Sequence, residues 1–243
     1  MTVAAGAGVA NLRRARAEAE RGRAGIGTIG FLAVLNGRRE RELVLVSNRH
    51  VLLANGAARG DPVYGTVRAQ RPGTWALHAV DPVGAILDEG AEDNHAFRYP
   101  GEPADEFYVD CACARVAADR APPPPAHVRG VARLHPLDVA GARAVRVRKL
   151  GALTGVTEGR VVDARTRVEV AGRPGRLNNL VIRGIGGPFA EPGDSGALVV
   201  NDRDEAIGMV WGTSDRDPAI AYASHIHPVL DRLGVTMLTR AFA

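Results

Sequence analysis

Short apolar runs, separated by glycine, proline, asparagine and aspartate, fill the chain from Gly27 onward and constrain its fold most. These runs are GTIGFLAVLNG, ELVLVS, WALHAV, EFYVDCACARV, AVRVRKLG, NLVIRG, GALVVND and AIGMVWG. Many short strands at this spacing are typical of an all-β barrel or sandwich. One segment near the end, HPVLDRLG, instead predicts a helix. The sequence therefore predicts an all-β fold with a C-terminal helix.

Four consecutive prolines divide this strand-rich region into halves of similar size. They lie in APPPPAHVRG, residues 121–130, and such a run cannot join a central strand but favours a stiff, extended connector. A chain of 243 residues fits one large domain or two small ones. We expect residues 121–130 to be a crossover from a first β unit, residues 26–120, to a second, residues 131–243. A surface loop inside one unit is the alternative.

The first 25 residues carry most of the net charge. The formal net charge is +4, and residues 1–25 hold five arginines against two glutamates, which places +3 there. Good helix formers in VANLRRARAEAERGRAG predict a helix over residues 9–22 of a basic N-terminal arm. The remainder is close to neutral, which argues against a nucleic-acid groove. The arm either contacts an acidic partner or is a frayed surface helix.

The two cysteines and the N-terminal sequence bear on localisation. Cys111 and Cys113 share a face of a predicted strand, so they cannot easily close a disulfide. The start of the chain, MTVAAGAGVANLRRAR, has no leucine-rich apolar segment after a basic start, and no run reaches transmembrane length. We expect a cytoplasmic protein that does not act at a membrane, which agrees with unpaired cysteines.

His50 follows the apolar strand in ELVLVSNRHVLLANG. Ser47 or Asn48 can cap one or two helical turns that end at Asn55-Gly56. This arrangement places His50 at a strand end, where it is either a catalytic base or a structural histidine.

Asp110 lies within EFYVDCACARV, a predicted strand that is largely apolar on both faces. Alternation groups Phe107, Val109, Cys111 and Cys113 on one face and Tyr108, Asp110, Ala112, Ala114 and Val116 on the other. Burying a carboxylate there costs several kcal/mol unless a cation or donor meets it. Asp110 therefore needs a partner. The other candidate carboxylates occupy more polar, loop-like contexts: Asp81, Asp88, Asp93 and Asp105.

Ser195 stands in EPGDSGALVV, just before an apolar run. Glycine, aspartate and serine favour turns, so an ordinary turn is one interpretation. The other is a nucleophile, and a serine hydroxyl then needs a base and an orienting acid. The chain offers both, in the order His50, Asp110, Ser195, among predicted strands. This conjunction indicates a Ser-His-Asp triad.

Four of these segments, SNRHVL, YVDCACARV, EPGDSGALVV and GMVWG, resemble the trypsin-like (chymotrypsin-fold) serine proteases. More closely, they resemble the non-secreted branch found in bacteria and in the plant Narrow Leaf type, whose histidine motif is S/T-N-x-H-V. GALTGVTEGRV is similar to the strand pair that precedes the serine in that branch. The resemblance covers about residues 26–238. It implies two packed antiparallel β-barrels with His50 and Asp110 in the first and Ser195 in the second.

The resemblance also implies an activity: an intracellular serine endopeptidase that acts on proteins or peptides and needs no metal or organic cofactor. The backbone N–H groups of Gly193 and Ser195 would form the oxyanion hole, and Asp194 would face inward to orient that loop. The implied substrate pocket comprises Phe189, Ala190, Val210, Trp211, Gly212 and Ala219. Phe189 stands where trypsin has a pocket carboxylate, so a preference for cleavage after arginine or lysine does not carry over.

Trypsin-like zymogens are activated by a new N-terminus inserted beside the serine loop, and no activation site is evident here. We expect either a constitutively formed site or one switched by a regulatory protein partner through residues 1–25. A protease-fold module that binds protein, latent or inactive without its partner, is the alternative function. A third candidate function, binding to nucleic acid or to a membrane surface, is indicated by the charge alone.

Overall fold

The computed structural model describes residues 3–11, 25–37, 42–71, 74–118, 128–140, 145–169 and 174–239. The first seven strands are β1 (Gly8–Asn11), β2 (Gly25–Thr28), β3 (Phe31–Leu35), β4 (Leu43–Ser47), β5 (Pro62–Arg71), β6 (Thr74–Phe97) and β7 (Asp105–Val116). The other eight are β8 (Gly130–Val131), β9 (Arg146–Gly151), β10 (Gly155–Val168), β11 (Arg176–Gly184), β12 (Leu198–Asn201), β13 (Glu205–Thr213), β14 (Ile220–His225) and β15 (Val235–Met237). Three α-helices accompany them within these described ranges: α1 (Arg49–Leu52), α2 (Pro136–Ala140) and α3 (Ile226–Leu233).

These strands form two sheets. The first has the order β15-β3-β4-β7-β6-β5-β1-β2. The second has the order β12-β9-β10-β11-β14-β13-β8, and β12 also pairs with β13, so six of its strands close into a barrel. The pairings within both sheets are antiparallel except that of β8 with β13. The predicted all-β class is confirmed.

The predicted apolar runs coincide with strands β2 to β4, β6, β7, β9 and β11 to β13. The chain passes from the first sheet to the second between Val116 and Gly130, an interval that contains the proline run. Residues 119–127 lie outside the described residues, so the crossover at 121–130 stays a prediction. The chain later returns, because β15 pairs with β3. Residues 235–237, expected in the second unit, thus belong to the first sheet.

The helix predicted over residues 9–22 is wrong at its beginning. Residues 8–11 form strand β1, which lies between β2 and β5, and Val9, Ala10 and Asn11 are completely buried. Burial of Val9 and Ala10 against neighbouring strands therefore outweighs the local helix propensity of this segment. The remaining part of the predicted helix, residues 12–22, lies outside the described residues.

Strand β7 is covered by apolar side chains on both faces, as its sequence predicts. Val109, Cys111 and Cys113 pack in one core cluster with residues of α3, whereas Ala112 and Ala114 pack in another with Leu52. Both cysteines are unpaired and buried, and burial raises the pKa of Cys113 to about 12. Their thiols are therefore packing groups rather than reactive ones.

The predicted C-terminal helix is confirmed as α3, which ends at Gly234 in the left-handed conformation (φ 60°). The longest α-helix in the described part of the chain is this one, and no described helix has the length and apolarity to cross a membrane.

Candidate active site

His50 lies on the short helix α1, directly after strand β4. Val51 and Leu52 on the same helix are buried in the core of the first sheet and anchor it. The side chain of His50 is 38% exposed, so it projects from a fixed backbone toward the surface. The predicted helical turn is confirmed, and Asn55 (φ 61°) and Gly56 (φ 73°) take left-handed conformations after it.

Asp110 is the buried partner of His50. Its Oδ2 lies 2.5 Å from His50 Nδ1, and its Oδ1 accepts hydrogen bonds from the backbone N–H groups of Arg49 (2.7 Å) and His50 (3.2 Å). Its side chain is 2% exposed. The sequence required a donor for this carboxylate, and the structure supplies the imidazole and the first N–H groups of α1. Such charge-assisted hydrogen bonds are stronger than neutral ones.

The helix cap differs in detail from the prediction. Neither Ser47 nor Asn48 caps α1 with its side chain, because Asp110 satisfies those N–H groups instead. The Asn48 amide donates to the Asp110 carbonyl oxygen (2.6 Å). Asp110 is thus fixed by contacts to its carboxylate and to its backbone.

The electrostatic surroundings raise the pKa of His50 above its ordinary 6.5. Burial by itself lowers this pKa, but the hydrogen bond and charge of Asp110, together with the charge of Glu92, outweigh it, and Arg176 opposes them. The contact of Nδ1 with a carboxylate fixes the proton there and leaves Nε2 as the proton acceptor in the neutral ring. This is the tautomer that a general base for a serine requires.

Ser195 stands in the serine loop, residues 185–197, which connects β11 to β12. The N–H of Gly196 donates to the Val210 carbonyl (2.8 Å), and the N–H of Val210 donates to the Ala197 carbonyl (2.9 Å). Gly196 has φ 96°, and a Cβ there would lie 2.2 Å from the Thr28 carbonyl oxygen. Only glycine fits this position, which holds the serine loop against strand β2.

Strand β2 brings the serine loop and the histidine helix together. A Cβ on Gly27 would lie 2.5 Å from Val51 Cγ2 on α1 and 2.6 Å from the Ser195 carbonyl oxygen. The next residue, Thr28, donates its backbone N–H to that same carbonyl (2.7 Å), while its own carbonyl accepts the Ser47 hydroxyl (2.7 Å). Strand β2 is therefore contacted by Ser195 itself and by Ser47 and Val51, which lie on either side of His50 in the sequence.

Thr28 also holds the segment proposed for the oxyanion hole. Its hydroxyl donates to the Gly193 carbonyl (3.0 Å) and accepts a hydrogen bond from the Ala152 N–H (3.0 Å). Gly193 has φ 116°, a conformation that L side chains rarely adopt. These two hydrogen bonds attach the backbone around Gly193 to strand β2 of the first sheet.

Asp194 points into the protein and forms an ion pair with Lys149. Lys149 Nζ lies 3.1 Å from Asp194 Oδ2, and neither side chain has any exposed surface. Asp194 also accepts hydrogen bonds from the N–H groups of Leu153 (3.0 Å) and Thr154 (3.1 Å) and from the Thr154 hydroxyl (2.6 Å). A buried carboxylate needs such a complete set of partners. These contacts fix the loop on which Ser195 stands.

The implied pocket residues differ in exposure. Phe189, Ala190 and Val210 belong to the core cluster of the second sheet and are 0%, 3% and 1% exposed. Trp211 donates its indole N–H to Asn179 Oδ1 (3.0 Å) and stacks on Tyr222 with a 5.3 Å centroid separation. Gly212 has open space where a Cβ would lie, and Ala219 is partly buried. Phe189, Ala190 and Val210 are therefore core residues, whereas Gly212 borders open space.

Sequence reasoning missed four residues that hold or surround this site: Thr28, Glu92, Lys149 and Arg176. One signal was available for Lys149, because it is the only lysine among 31 basic residues. The others carry no local signal. Among the described residues, no group of three or more His, Cys, Asp or Glu is placed to hold a metal ion.

The fold is that of the chymotrypsin-type serine proteases, and the described site lies where its two sheets meet. The chain is similar to Protease A of Thermobifida fusca (16% identity, TM-score 0.60) and to a chymotrypsin of Cellulomonas bogoriensis (18% identity, TM-score 0.58). It is also similar to a Nocardiopsis protease (16% identity, TM-score 0.59). Each comparison covers 98% of this chain and 100% of the other. No protein-family model and no curated protein matches the sequence.

Proposed function

We propose that this protein is a serine endopeptidase with Ser195 as nucleophile, His50 as general base and Asp110 as the orienting acid. The hydrogen bond between His50 Nδ1 and Asp110 Oδ2 is the observation that carries the proposal. The contact of Gly27 with both α1 and the Ser195 carbonyl, together with the hydrogen bond from the Thr28 N–H to that carbonyl, supports it. The chymotrypsin-type fold adds a scaffold on which this chemistry occurs in the similar proteases.

The proposed reaction follows from the groups present. His50 Nε2 removes the Ser195 proton as the hydroxyl oxygen attacks a peptide carbonyl carbon, and Asp110 stabilises the imidazolium that forms. The backbone N–H groups of Gly193 and Ser195 stabilise the oxyanion, and one such donor contributes about 3 kcal/mol. His50 then protonates the departing amine. Water, deprotonated by His50, hydrolyses the acyl-enzyme and regenerates Ser195.

A fluorophosphonate probe tests the proposal directly, because it labels serines that have been activated by a base. We expect covalent labelling of the purified parent at Ser195 and no labelling of Ser195→Ala or His50→Ala. A folded parent that takes no label contradicts the proposal and favours a protease-fold module that binds protein without hydrolysing it.

We further propose that the site is constitutively formed. Asp194 already has a buried cation, Lys149, so its orientation needs no new N-terminus. The alternative is a regulatory protein partner that acts through residues 1–25. Because Asn11 pairs with Gly25 in the first sheet, a short turn should replace residues 12–24, leaving both strands intact. Unchanged labelling and unchanged regulation in cells of this shortened protein would exclude a partner that acts through residues 12–24, which hold all five arginines of the arm.

We place the enzyme in the cytoplasm, in keeping with the resemblance to the non-secreted, Narrow Leaf-type branch. The buried, unpaired Cys111 and Cys113 support a reducing compartment. Fractionation of cells that express the tagged chain tests this localisation. Recovery from the extracellular medium or the periplasm would contradict it.

A further inference from the structure

A second carboxylate lies beside Asp110. In the pairing of β6 with β7, Glu92 is opposite Asp110, and Asn94 is opposite Tyr108. Residues directly opposite each other in an antiparallel pair point to the same face, and like charges in such a pair destabilise it. Glu92 and Asp110 are thus two negative charges on the face next to His50, and such a pair requires a positive charge nearby.

Arg176, from the other sheet, supplies that charge. Its Nη2 lies 3.3 Å from Glu92 Oε1, and its side chain is 17% exposed. The guanidinium carbon lies 4.6 Å from the centroid of the Tyr108 ring and 4.4 Å from that of Trp211. Arg176 therefore contacts residues of both sheets, and cation–π contacts hold it in place.

The backbone at Arg176 is fixed as well. Asn179 donates its side-chain amide to the Arg176 carbonyl oxygen (2.7 Å) and accepts the Trp211 indole N–H (3.0 Å). Trp211 follows Val210, which is hydrogen-bonded on both sides to the serine loop. Arg176 thus lies between β7, which carries Asp110, and β13, which is hydrogen-bonded to the serine loop.

Four charged groups are linked to His50 by direct contact, strand pairing, an ion pair or adjacency in the chain. Asp110 on β7 contacts it directly, Glu92 on β6 is the cross-strand neighbour of Asp110, Arg176 on β11 pairs with Glu92, and Arg49 is the preceding residue on α1 itself. Asp110 and Glu92 favour the imidazolium form, whereas Arg176 disfavours it. Removing the guanidinium would take away a positive charge that contacts Glu92 next to the proposed base.

We propose that Arg176 is a positioning residue that offsets Glu92 and so keeps His50 unprotonated, and able to act as a base, over a wider range of pH. Glu92 and Arg176 touch neither the substrate nor the reacting atoms in this proposal, and they act through His50. The role in catalysis rests on the proposed serine endopeptidase activity, whereas the effect on His50 is a property of the protein itself.

The test follows the titration of His50 by NMR in the free protein, with the resonance assigned from His50→Gln. Arg176→Gln should shift the titration to higher pH, and Glu92→Gln should shift it to lower pH. The double variant should lie near the parent, because the two charges then disappear together. Arg176→Lys keeps the charge and should largely restore the parent titration, and it remains informative if Arg176→Gln does not fold.

A matched control is available on the same strand. Arg183 on β11 forms a more exposed ion pair with Asp217, with 3.1 Å between its Nη1 and Asp217 Oδ2. Arg183→Gln removes the same charge from the chain and should leave the His50 titration unchanged. Equal shifts for Arg183→Gln and Arg176→Gln would mean a general effect of net charge and would overturn the proposal, as would shifts of the same sign for Arg176→Gln and Glu92→Gln.

The same variants separate this inference from the proposed function. If the parent hydrolyses peptides, the acidic limb of its kcat/KM profile should move with the NMR titration, upward for Arg176→Gln and downward for Glu92→Gln. Movement of the titration in a protein that takes no fluorophosphonate label contradicts the endopeptidase and leaves the role of Arg176 at His50 intact. Unmoved titrations in an active enzyme contradict the inference alone.

Discussion

Asp110 performs two tasks at the level of a single residue, since one carboxylate oxygen binds the imidazole and the other binds the backbone of α1. An asparagine can still accept from the backbone N–H groups, but its amide would face His50 Nδ1 and favour the wrong tautomer. We therefore expect Asp110→Asn to lower kcat by about four orders of magnitude with little loss of folding. Peptide hydrolysis and thermal unfolding of the same preparation measure the two effects. Full activity in this variant would refute the assignment of Asp110.

Lys149 is the second residue whose removal should be severe. Lys149→Met keeps much of the volume but leaves Asp194 buried without a cation, which destabilises a protein by about 3–5 kcal/mol. The serine loop should also lose its orientation, so fluorophosphonate labelling should fall sharply. Denaturant unfolding measures the change in stability.

The adjacent residue offers a control for this experiment. Arg148 pairs with Asp204 (2.5 Å), and the arginine side chain is 37% exposed. Arg148→Met should therefore change the free energy of unfolding by no more than about 1 kcal/mol. Similar losses for Arg148→Met and Lys149→Met would contradict a special role for the buried pair.

At the level of elements, the site depends on how closely the serine loop approaches β2. A Cβ at Gly196 would meet the Thr28 carbonyl oxygen at 2.2 Å and would force an L residue into φ 96°. Gly196→Ala should thus displace the loop, destabilise the fold by more than about 1 kcal/mol and abolish labelling of Ser195. Gly130 has open space at its Cβ position and no positive φ, so Gly130→Ala should be nearly neutral in both measurements.

Strand elements were predictable where apolar runs alternate or end in turn residues, as in β4, β7 and β13. Strand β1 was not, because Val9 and Ala10 become a strand only through burial between β2 and β5. His50, Asp110 and Ser195 were proposed from their local motifs, and the contact between His50 and Asp110 agrees with that proposal. Thr28, Glu92 and Arg176 act through contacts between segments that are distant in the sequence, and no local pattern indicates such contacts.

For the molecule as a whole, a buried histidine should make the free energy of unfolding decrease at acid pH. His225 is 3% exposed, contacts the Ala164 carbonyl through Nε2 (2.9 Å), and has its pKa lowered to about 4, chiefly by burial. Because the pKa of His225 in the folded protein is below the ordinary 6.5, the unfolded chain binds a proton at a higher pH than the folded protein does. The contribution of this residue to stability is therefore complete above about pH 6.5 and is lost as the pH falls toward 4. We expect a loss of about 3 kcal/mol over that interval.

Urea unfolding at a series of pH values measures this dependence. His225→Gln removes the titrating group, so its unfolding free energy should vary less between pH 6.5 and pH 4 than that of the parent, even if it is lower throughout. An equally steep dependence in the variant would assign the acid sensitivity to other groups.

The pairing of β15 with the first sheet has a consequence for how the protein folds during its synthesis. Thr236 hydrogen-bonds to Asn36, 200 positions earlier in the chain, as its strand pairs with β3. On the ribosome, His50 and Asp110 emerge before Ser195 and before the strand that completes their sheet. Since domains otherwise tend to fold in the order in which they are made, we expect the proposed peptidase to stay inactive toward neighbouring nascent chains until Ser195 and β15 have both been made.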